Sequence, residues 1–385
     1  MKNKKIKALS LFANVGIGES YLSETNVEVV LANELLKDRV EFYKHLYPET
    51  EMIMGDITDP DVLSLIVDRA KELGVNLIMA TPPCQGMSTA GKKDELDERN
   101  SLIKYAVKVI KEVNPDYVFF ENVPEQLNTR IWHNEEFILI PDYLRLELGT
   151  EYNFSKDNVV NAADYSVPQY RERAIILLTK KTKQVQWDIP AKDSKIVTMK
   201  DAIGNLPSLD PLIYDIPYNE HLKVFPQYEE KKERGLSVSK WHCPPEHVYR
   251  QVYSLMHTPT GKTAFDNIDE YKPKKKDGTL VKGYKNTYKR QNWDTPAYTI
   301  TMYNRTIGSQ NNVHPGTYIG QDKDGSDLYS DARVLTIYEI MLVMSLPADW
   351  NIPDWATDNF IRSVIGEGVP PLLVKKIMEV IPDET

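Results

Sequence analysis

The sequence predicts an α/β fold whose first 185 residues form a doubly wound, parallel sheet. Three observations lead there. Short apolar runs at residues 6–12, 27–32, 51–54, 75–80 and 117–120 are bounded by turn residues, as buried strands are. Amphipathic stretches at 35–46, 59–73 and 101–113 separate them, with Val107, Ile110 and Val113 near helical spacing on one face. Two of the strands end in chemically loaded turns, Pro83-Cys84-Gln85-Gly86 and Glu121-Asn122-Val123. Alternating strands and helices imply a parallel sheet, and in such sheets the ligand crevice lies outside the carboxyl ends of the strands.

The first strand follows a basic start, Met1-Lys2-Asn3-Lys4-Lys5, that superficially looks like a leader peptide. Its apolar run is short, contains Lys7 and leads into a Gly-containing loop, so it reads as a buried strand. That loop is Phe12-Ala13-Asn14-Val15-Gly16-Ile17-Gly18-Glu19, where small residues let backbone N–H groups approach a nucleoside-bearing ligand. The second strand ends in Ala32-Asn33-Glu34, an acid placed for two ribose hydroxyls, and the third in Gly55-Asp56-Ile57, an acid placed for an adenine amino group. Each feature is weak alone. Three in register on consecutive strands point to an adenosine-containing cofactor.

The fourth and fifth strands bring the thiol of Cys84 and the carboxyl of Glu121 to one edge. A buried small hydrophobe is the common fate of a free cysteine, but Pro82-Pro83 and Gln85-Gly86 place this one on a rigid loop. Glu121 follows four apolar or aromatic residues, at a desolvated mouth where its pKa rises. A nucleophile beside an acid suits covalent catalysis on an electrophilic ring. Residues 174–178 read as a later, antiparallel strand near an edge. After about residue 185, proline, tyrosine and lysine increase, and short strands and loops are expected until about 330. Helical patterning returns at 336–346 and 372–380. The expected layout is 1–185, then an irregular region at 186–330, then 331–385 returning to the first domain.

Composition narrows the class. Hydrophobic residues at 41% and charged residues at 27% fit a soluble globular protein, and no stretch is long enough to span a bilayer. Two cysteines, Cys84 and Cys243, make no disulfide framework, so a reducing cytoplasm is expected. Cys243 with His242 and His247 offers too few ligands for a metal site, and none is expected. Taken alone, a net charge of −9 argues against nucleic-acid binding, although a footprint needs only a local positive patch. Even so, Lys272, Lys274, Lys275, Lys276, Lys282, Lys285, Lys289 and Arg290 face one acid, Asp277, within a single segment. In isolation that run reads as a solvated loop; it gains meaning only with a polyanionic partner.

The ordered motifs resemble those of the DNA (cytosine-5)-methyltransferases, from about residue 8 to 376. The resemblance rests on Pro83-Cys84-Gln85, Glu121-Asn122-Val123, the Gln-x-Arg-x-Arg element Gln169 to Arg173, Arg333-Val334-Leu335-Thr336 with Leu346-Pro347, and Gly366-Glu367-Gly368-Val369-Pro370-Pro371. Trp293 to Ile300 also resembles a stretch that usually precedes the Arg-x-Leu-Thr element. The resemblance implies a Rossmann-like class I methyltransferase sheet with a smaller, mostly β and loop target-recognition domain. It implies S-adenosylmethionine as cofactor, bound by Phe12, Gly16, Glu34, Asp56, Ile57, Pro83 and Leu102. Cys84 would attack cytosine carbon 6, Glu121 would hold the N3/N4 edge, Arg173 would hold O2, and Arg171 would support the loop and thiol.

The loop from Gly86 to Asn100 would close over a flipped base. Gln85, Ser88, Lys282, Lys285, Arg290, Asn304 and Arg305 are the expected DNA contacts, with Gln310, Asn311 and Asn312 as further base readers. Duplex DNA is the implied partner, with a cognate restriction endonuclease sharing the site; no membrane partner and a monomer are expected. Two rivals stay open: an RNA cytosine-5 methyltransferase and a catalytically silent DNA-binding subunit. The chain departs from the family pattern where Asn14 and Ile17 replace glycines and where Glu367 puts a carboxylate in place of an amide that often meets the cofactor. Lower cofactor affinity is the expectation there.

Overall fold

A computed structural model describes residues 5–83, 98–156 and 158–382. Its centre is an eight-stranded sheet built from β1 (Ile6–Leu11), β2 (Val27–Glu34), β3 (Glu51–Met54), β4 (Leu77–Ala80), β5 (Tyr117–Asn122), β8 (Tyr152–Phe154), β9 (Asn158–Asn161) and β10 (Glu172–Lys180). A hairpin, β6 (Arg130–His133) with β7 (Glu136–Leu139), stands apart. The strand order is β3-β2-β1-β4-β5-β10-β8, with β9 also on β10. Strands β3 to β5 are parallel; β10 runs antiparallel to β5, with Ile175 opposite Glu121. The chain reverses direction between β3 and β4, so the strand ends of β1 and β4 diverge into a crevice.

Side chains alternate between two cores, as a strand's period of two requires. In β5, Tyr117 and Phe119 join one core while Val118 and Phe120 join the other. Helices α2 (Pro60–Leu73), α3 (Leu102–Val113) and α4 (Ile140–Leu148) cover one face, and α11 (Pro371–Met378) the other. Burial on both faces explains why the strands read as continuous apolar runs. Helix α2 starts where Asp59 accepts a hydrogen bond from Asp61 N and stops at Gly74, which adopts φ 72°. Helix α1 (Lys37–Leu46) connects β2 to β3.

Residues 186–330 contain more helix than their composition suggests. Alongside α5 (Met199–Ile203), they form α6 (Tyr218–Val224), α7 (Tyr228–Val238) and α8 (Tyr249–Met256), with two small sheets, β11 (Leu212–Ile213) with β12 (Glu246–His247) and β13 (Tyr318–Gln321) with β14 (Asp327–Tyr329). Helix α7 buries only Tyr228 and Gly235, so its sequence carries almost no apolar stripe. Beyond it, α9 (Ile337–Val343) and α10 (Asp358–Glu367) complete the chain's helices among the described residues. Val15, Ile17 and Phe42 share a core with Ile300, Leu335, Ile340 and Ile361, so the first loop packs directly on the C-terminal segment.

Candidate active site

The parallel register sets the site. Ala80 pairs with Phe120, so Pro82-Pro83 and Glu121 leave the sheet side by side. Asn122 fixes this: its Nδ2 donates to Pro82 O at 2.9 Å while its Oδ1 accepts from Val123 N at 2.8 Å. Cys84, Gln85 and Ser88 lie outside the described residues, as does most of the loop expected to close over the base. The residue just before them, Pro83, is half-buried at this edge.

Glu121 is 5% exposed, and burial raises its pKa although Arg173 and Arg171 pull it down. Arg173 Nε lies 2.8 Å from Glu121 Oε1. That contact is an ion pair, and among the described residues Oε1 has no well-formed hydrogen bond besides it. A buried acceptor without a donor is costly, and a ligand N–H would satisfy it. The arrangement is an acid with one oxygen held for a polar edge, next to a guanidinium.

Arg171 was expected to support the loop and thiol of Cys84, which lie outside the described residues; among the described residues its guanidinium binds backbone carbonyls. Its Nη1 donates to Ile300 O (2.8 Å), and its Nη2 to Gly366 O (2.7 Å) and Gly368 O (2.8 Å). It ties the residue that leads into β10 to Ile300 and to the end of α10. Gln169 reinforces the seam by accepting from Ile300 N at 3.1 Å, and Tyr170 N donates to Ala297 O at 2.8 Å.

The cofactor candidates line the ends of β1 to β3. Glu34 is 6% exposed; its carboxylate accepts from Asn14 N (2.9 Å), Leu35 N (3.0 Å) and Leu36 N (3.0 Å), which fixes it at the strand end. Asp56 is exposed, with Oδ1 accepting from Thr58 N, and Ile57 behind it is buried. Phe12 and Leu102 are half-buried against the same core. Phe12 adopts φ 59° and Asn14 φ 51°, the left-handed region that asparagine tolerates. Gly16 is required: at φ 76°, a Cβ there would meet Tyr47 at 2.4 Å and Tyr43 at 2.9 Å. Ile17 fills space that Gly368 leaves, since a Cβ on Gly368 would come within 2.8 Å of the isoleucine side chain. This donor set, two acids on adjacent strand ends beside a backbone turn and an apolar floor, fits an adenosine.

Three of the expected DNA contacts are corrected. Arg290 is fully buried: Nη1 donates to His314 O and Asp331 O, and Nη2 to Leu255 O and Ser330 O. Four carbonyl acceptors make it a staple, not a phosphate ligand. Asn304 is 1% exposed and is spent on Thr301 O and Arg362 O. Asn312 is equally buried and donates to Thr306 O. Arg305 stays half-exposed but is charge-balanced by Asp358, its Nε 3.2 Å from Oδ1. Lys282 and Lys285 are exposed, as a phosphate contact requires. His242 and His247 serve structure, the first against Thr336 Oγ1 and Pro207 O, the second facing Val334 N.

The sequence reading missed Glu19. This carboxyl is buried under the first loop, bonded by Tyr43 Oη at 2.5 Å. Burial, offset in part by Tyr43 and Ser10, lifts its pKa from the usual 4.5 to about 7. A raised acid binds its proton more tightly in the folded state. The resulting stabilisation is full below pH 4.5 and is lost as pH rises through about 7, a change of roughly 3 kcal/mol. Glu19→Gln should flatten that slope in urea titrations between pH 4.5 and 8. Parallel pH profiles for the two proteins would refute the assignment.

This geometry, a doubly wound α/β sheet with a buried acid and guanidinium at its carboxyl edge beside the acids that end β2 and β3, places the protein in the class of Rossmann-like α/β enzymes. Sequence comparison makes the class specific: the chain belongs to the C-5 cytosine-specific DNA methylase family, whose profile matches residues 6–383. It is therefore a DNA cytosine-5 methyltransferase. It is 42% identical over 379 residues to the Type II methyltransferase M1.HgaI of Avibacterium volantium, covering 97% of both chains. It is 26% identical to the Type II methyltransferase M.Eco47II of Escherichia coli over 91% of this chain and 73% of that one. Its fold is similar to a putative DNA modification methyltransferase from an E. coli prophage, with a TM-score of 0.65 at 17% identity over 98% of both chains. The S. pombe Dnmt2 methyltransferase shares the fold at a TM-score of 0.54, 14% identity and 98% coverage of both. Among the described residues, no helix is long and apolar enough to cross a membrane.

Proposed function

We propose that the protein methylates carbon 5 of a flipped cytosine within a specific duplex DNA sequence, as the modification half of a Type II restriction–modification pair. The similarity to M1.HgaI over nearly the full length supports the biological setting. The observation that carries the chemistry is Glu121, a buried acid with an unbonded Oε1 beside Arg173 and tied through Asn122 to the loop that leads into Cys84. S-adenosylmethionine, when bound, supplies an electrophilic methyl group on a sulfonium. Phe12, Gly16 and Glu34 would hold its ribose end, Asp56 and Ile57 its adenine, and Pro83 and Leu102 the side toward the substrate.

Cytosine is a poor nucleophile at carbon 5. Adding the Cys84 thiolate to carbon 6 makes carbon 5 an enamine terminus. Glu121, in its protonated form, donates to N3 and accepts from the N4 amino group, offsetting charge that develops on the ring; Arg173 holds O2. Carbon 5 then takes the methyl group, a base removes the carbon 5 proton, and the returning electron pair expels the thiolate. Residues 1–185 and 331–385 form the catalytic part in this reading, and 186–330 read the DNA, with Lys282 and Lys285 on phosphates. The expected setting is the cytoplasm of a prokaryotic cell, with the enzyme acting as a monomer.

Duplex DNA carrying 5-fluorocytosine at the target should trap a denaturation-resistant adduct with the native protein and none with Cys84→Ser. An adduct with the serine variant would remove Cys84 as nucleophile. Label transferred from S-adenosylmethionine to transfer RNA alone would remove the DNA reading. Bisulfite sequencing of DNA from expressing cells would identify the recognition sequence.

A further inference from the structure

An open pocket of about 310 Å³ lies among residues 257–329 and shares no residue with the site described above. Three segments wall it: His257 just after α8, then Ile268 and Tyr271, then Ser326, Asp327 and Tyr329 of the β13–β14 hairpin. Tyr271 stacks on the His257 ring, with centroids 3.6 Å apart and planes 13° from parallel. Its Oη donates to Ser326 Oγ at 3.0 Å, which ties the stack to the hairpin. The hairpin turn is pinned as well: Asp322 Oδ1 accepts from Asp324 N at 2.9 Å and from Ser326 N at 2.8 Å, and Gly325 takes φ 80°. Ile268, by contrast, is left 64% exposed at the rim.

The His257 side chain, 4% exposed, gives the pocket its polarity. Its Nδ1 lies 3.1 Å from Asp327 O, a carbonyl that can only accept, so Nδ1 carries the proton. Burial pushes the ring's pKa below its usual 6.5, against the pull of Asp327 O, Asp322 and Glu270, so the ring is neutral and Nε2 is a bare acceptor. Nε2 has no hydrogen-bond donor among the described residues, yet it is not one of the atoms sealed from solvent. Asp322 Oδ2, a second acceptor, stands 4.0 Å from it. Two acceptors side by side without a donor call for a cation bearing several N–H bonds. A metal ion needs more ligands, and no group of three His, Cys, Asp or Glu among the described residues could hold one.

Charge selects the bearer of that cation. In the turn, Asp322, Asp324 and Asp327 outnumber Lys323, while nearby Lys272 is neutralised by Asp269 and Lys274 Nζ is spent on Glu270 O. Such a turn repels phosphate and attracts a cationic side chain. We propose that this pocket receives an arginine side chain of a second protein, its guanidinium on His257 Nε2 and Asp322 Oδ2 and its methylene stem against Ile268 and Tyr329. A planar fork of donors reaches two separate acceptors and lies flat on aromatic walls, which a single ammonium does less well. Arginine seated in an aromatic pocket is also the kind of anchor that carries much of a protein interface's energy.

The probe is the blocked tripeptide acetyl-Gly-Arg-Gly-amide, added to the full chain and followed by saturation-transfer NMR. Contact is expected along the arginine methylenes. Asp322→Asn keeps the oxygen that pins the turn and removes the charge, so it should weaken the peptide roughly 10- to 100-fold, the share of one charge-assisted hydrogen bond. Ile268→Ser changes an exposed side chain and should weaken it about fivefold through the lost apolar wall. Thermal melts report whether each variant folds, and Ile268→Ser decides if Asp322→Asn does not. Free L-arginine should bind less tightly than the peptide, because its α-carboxylate meets Asp324 and Asp327. Absence of contact, unchanged affinity in the folded variants, or tighter binding of free L-arginine would overturn the inference. So would a lysine tripeptide or spermidine binding as tightly as the arginine peptide. A loss of duplex-DNA affinity in Ile268→Ser, with no peptide contact in the native protein, would assign the pocket to DNA instead.

Discussion

Replacing Arg333 with methionine is expected to destabilise the protein by roughly 3–5 kcal/mol, the cost of breaking a buried ion pair from one side. Arg333 is fully buried, its Nη1 and Nη2 donating to Glu339 at 2.8 and 2.9 Å and Nη2 also to Asp331 at 2.8 Å. Burial would raise the Glu339 pKa, but the guanidinium and its hydrogen bonds hold it down at about 2. Without Arg333, Glu339 keeps Thr336 N as its hydrogen-bond donor among the described residues, with His314 Nε2 3.6 Å away, whereas Asp331 still accepts from Leu209 N and Ser208 Oγ. The orphaned charge is therefore mainly that of Glu339. Adding Glu339→Gln to Arg333→Met should recover part of the loss. Urea unfolding of the two single variants and the double variant measures this, and additive losses would show that the pair is not coupled.

Glu121→Gln is expected to lower the rate of methyl transfer by roughly 10²–10⁴-fold while leaving cofactor binding unchanged. Glutamine matches the shape and can still accept a hydrogen bond, but it cannot carry the proton that the proposed mechanism places on N3. Burial raises the Glu121 pKa against the opposing pull of Arg173 and Arg171, which favours the protonated form over that of an exposed glutamate. Activity should fall on the alkaline side as Glu121 ionises and on the acid side as Cys84 is protonated, giving a bell. In the glutamine variant only the acid limb should remain. Single-turnover rates across pH decide the matter; an unchanged rate would remove Glu121 from the chemistry.

The fold was legible where burial is two-sided. Strands β1 to β5 appear as apolar runs because both faces of the sheet are covered, and Glu121 stood out because a carboxyl ended such a run. The Thr336-x-x-Glu339 capping box that starts α9 was also open to reading, with both reciprocal hydrogen bonds formed. What stayed hidden depends on contacts between distant segments. Nothing local separates Arg290, buried among four carbonyls, from Lys285 on the surface. Arg39 lies in a helix of ordinary charge pattern, 328 residues from Glu367, the carboxylate it meets. Helices α6 and α7 lack a strong apolar stripe, burying only His221 in the first and Tyr228 and Gly235 in the second, so nothing in their own pattern announces them. The same limit applies to Asn304: a polar residue in a loop can be spent inside the protein as easily as outside it.

The Arg171 staple has a consequence for synthesis. Arg171 immediately precedes β10, the strand that carries Arg173, yet its acceptors at Ile300, Gly366 and Gly368 emerge from the ribosome far later. Until Gly368 is made, a buried cation at the start of β10 lacks carbonyls that hold it in the folded protein. The nascent chain thus cannot assemble this pocket early. A product cut short before residue 366 would carry every residue proposed to touch cytosine and still be unable to position them. Copies that end before residue 366 are therefore expected to be inactive.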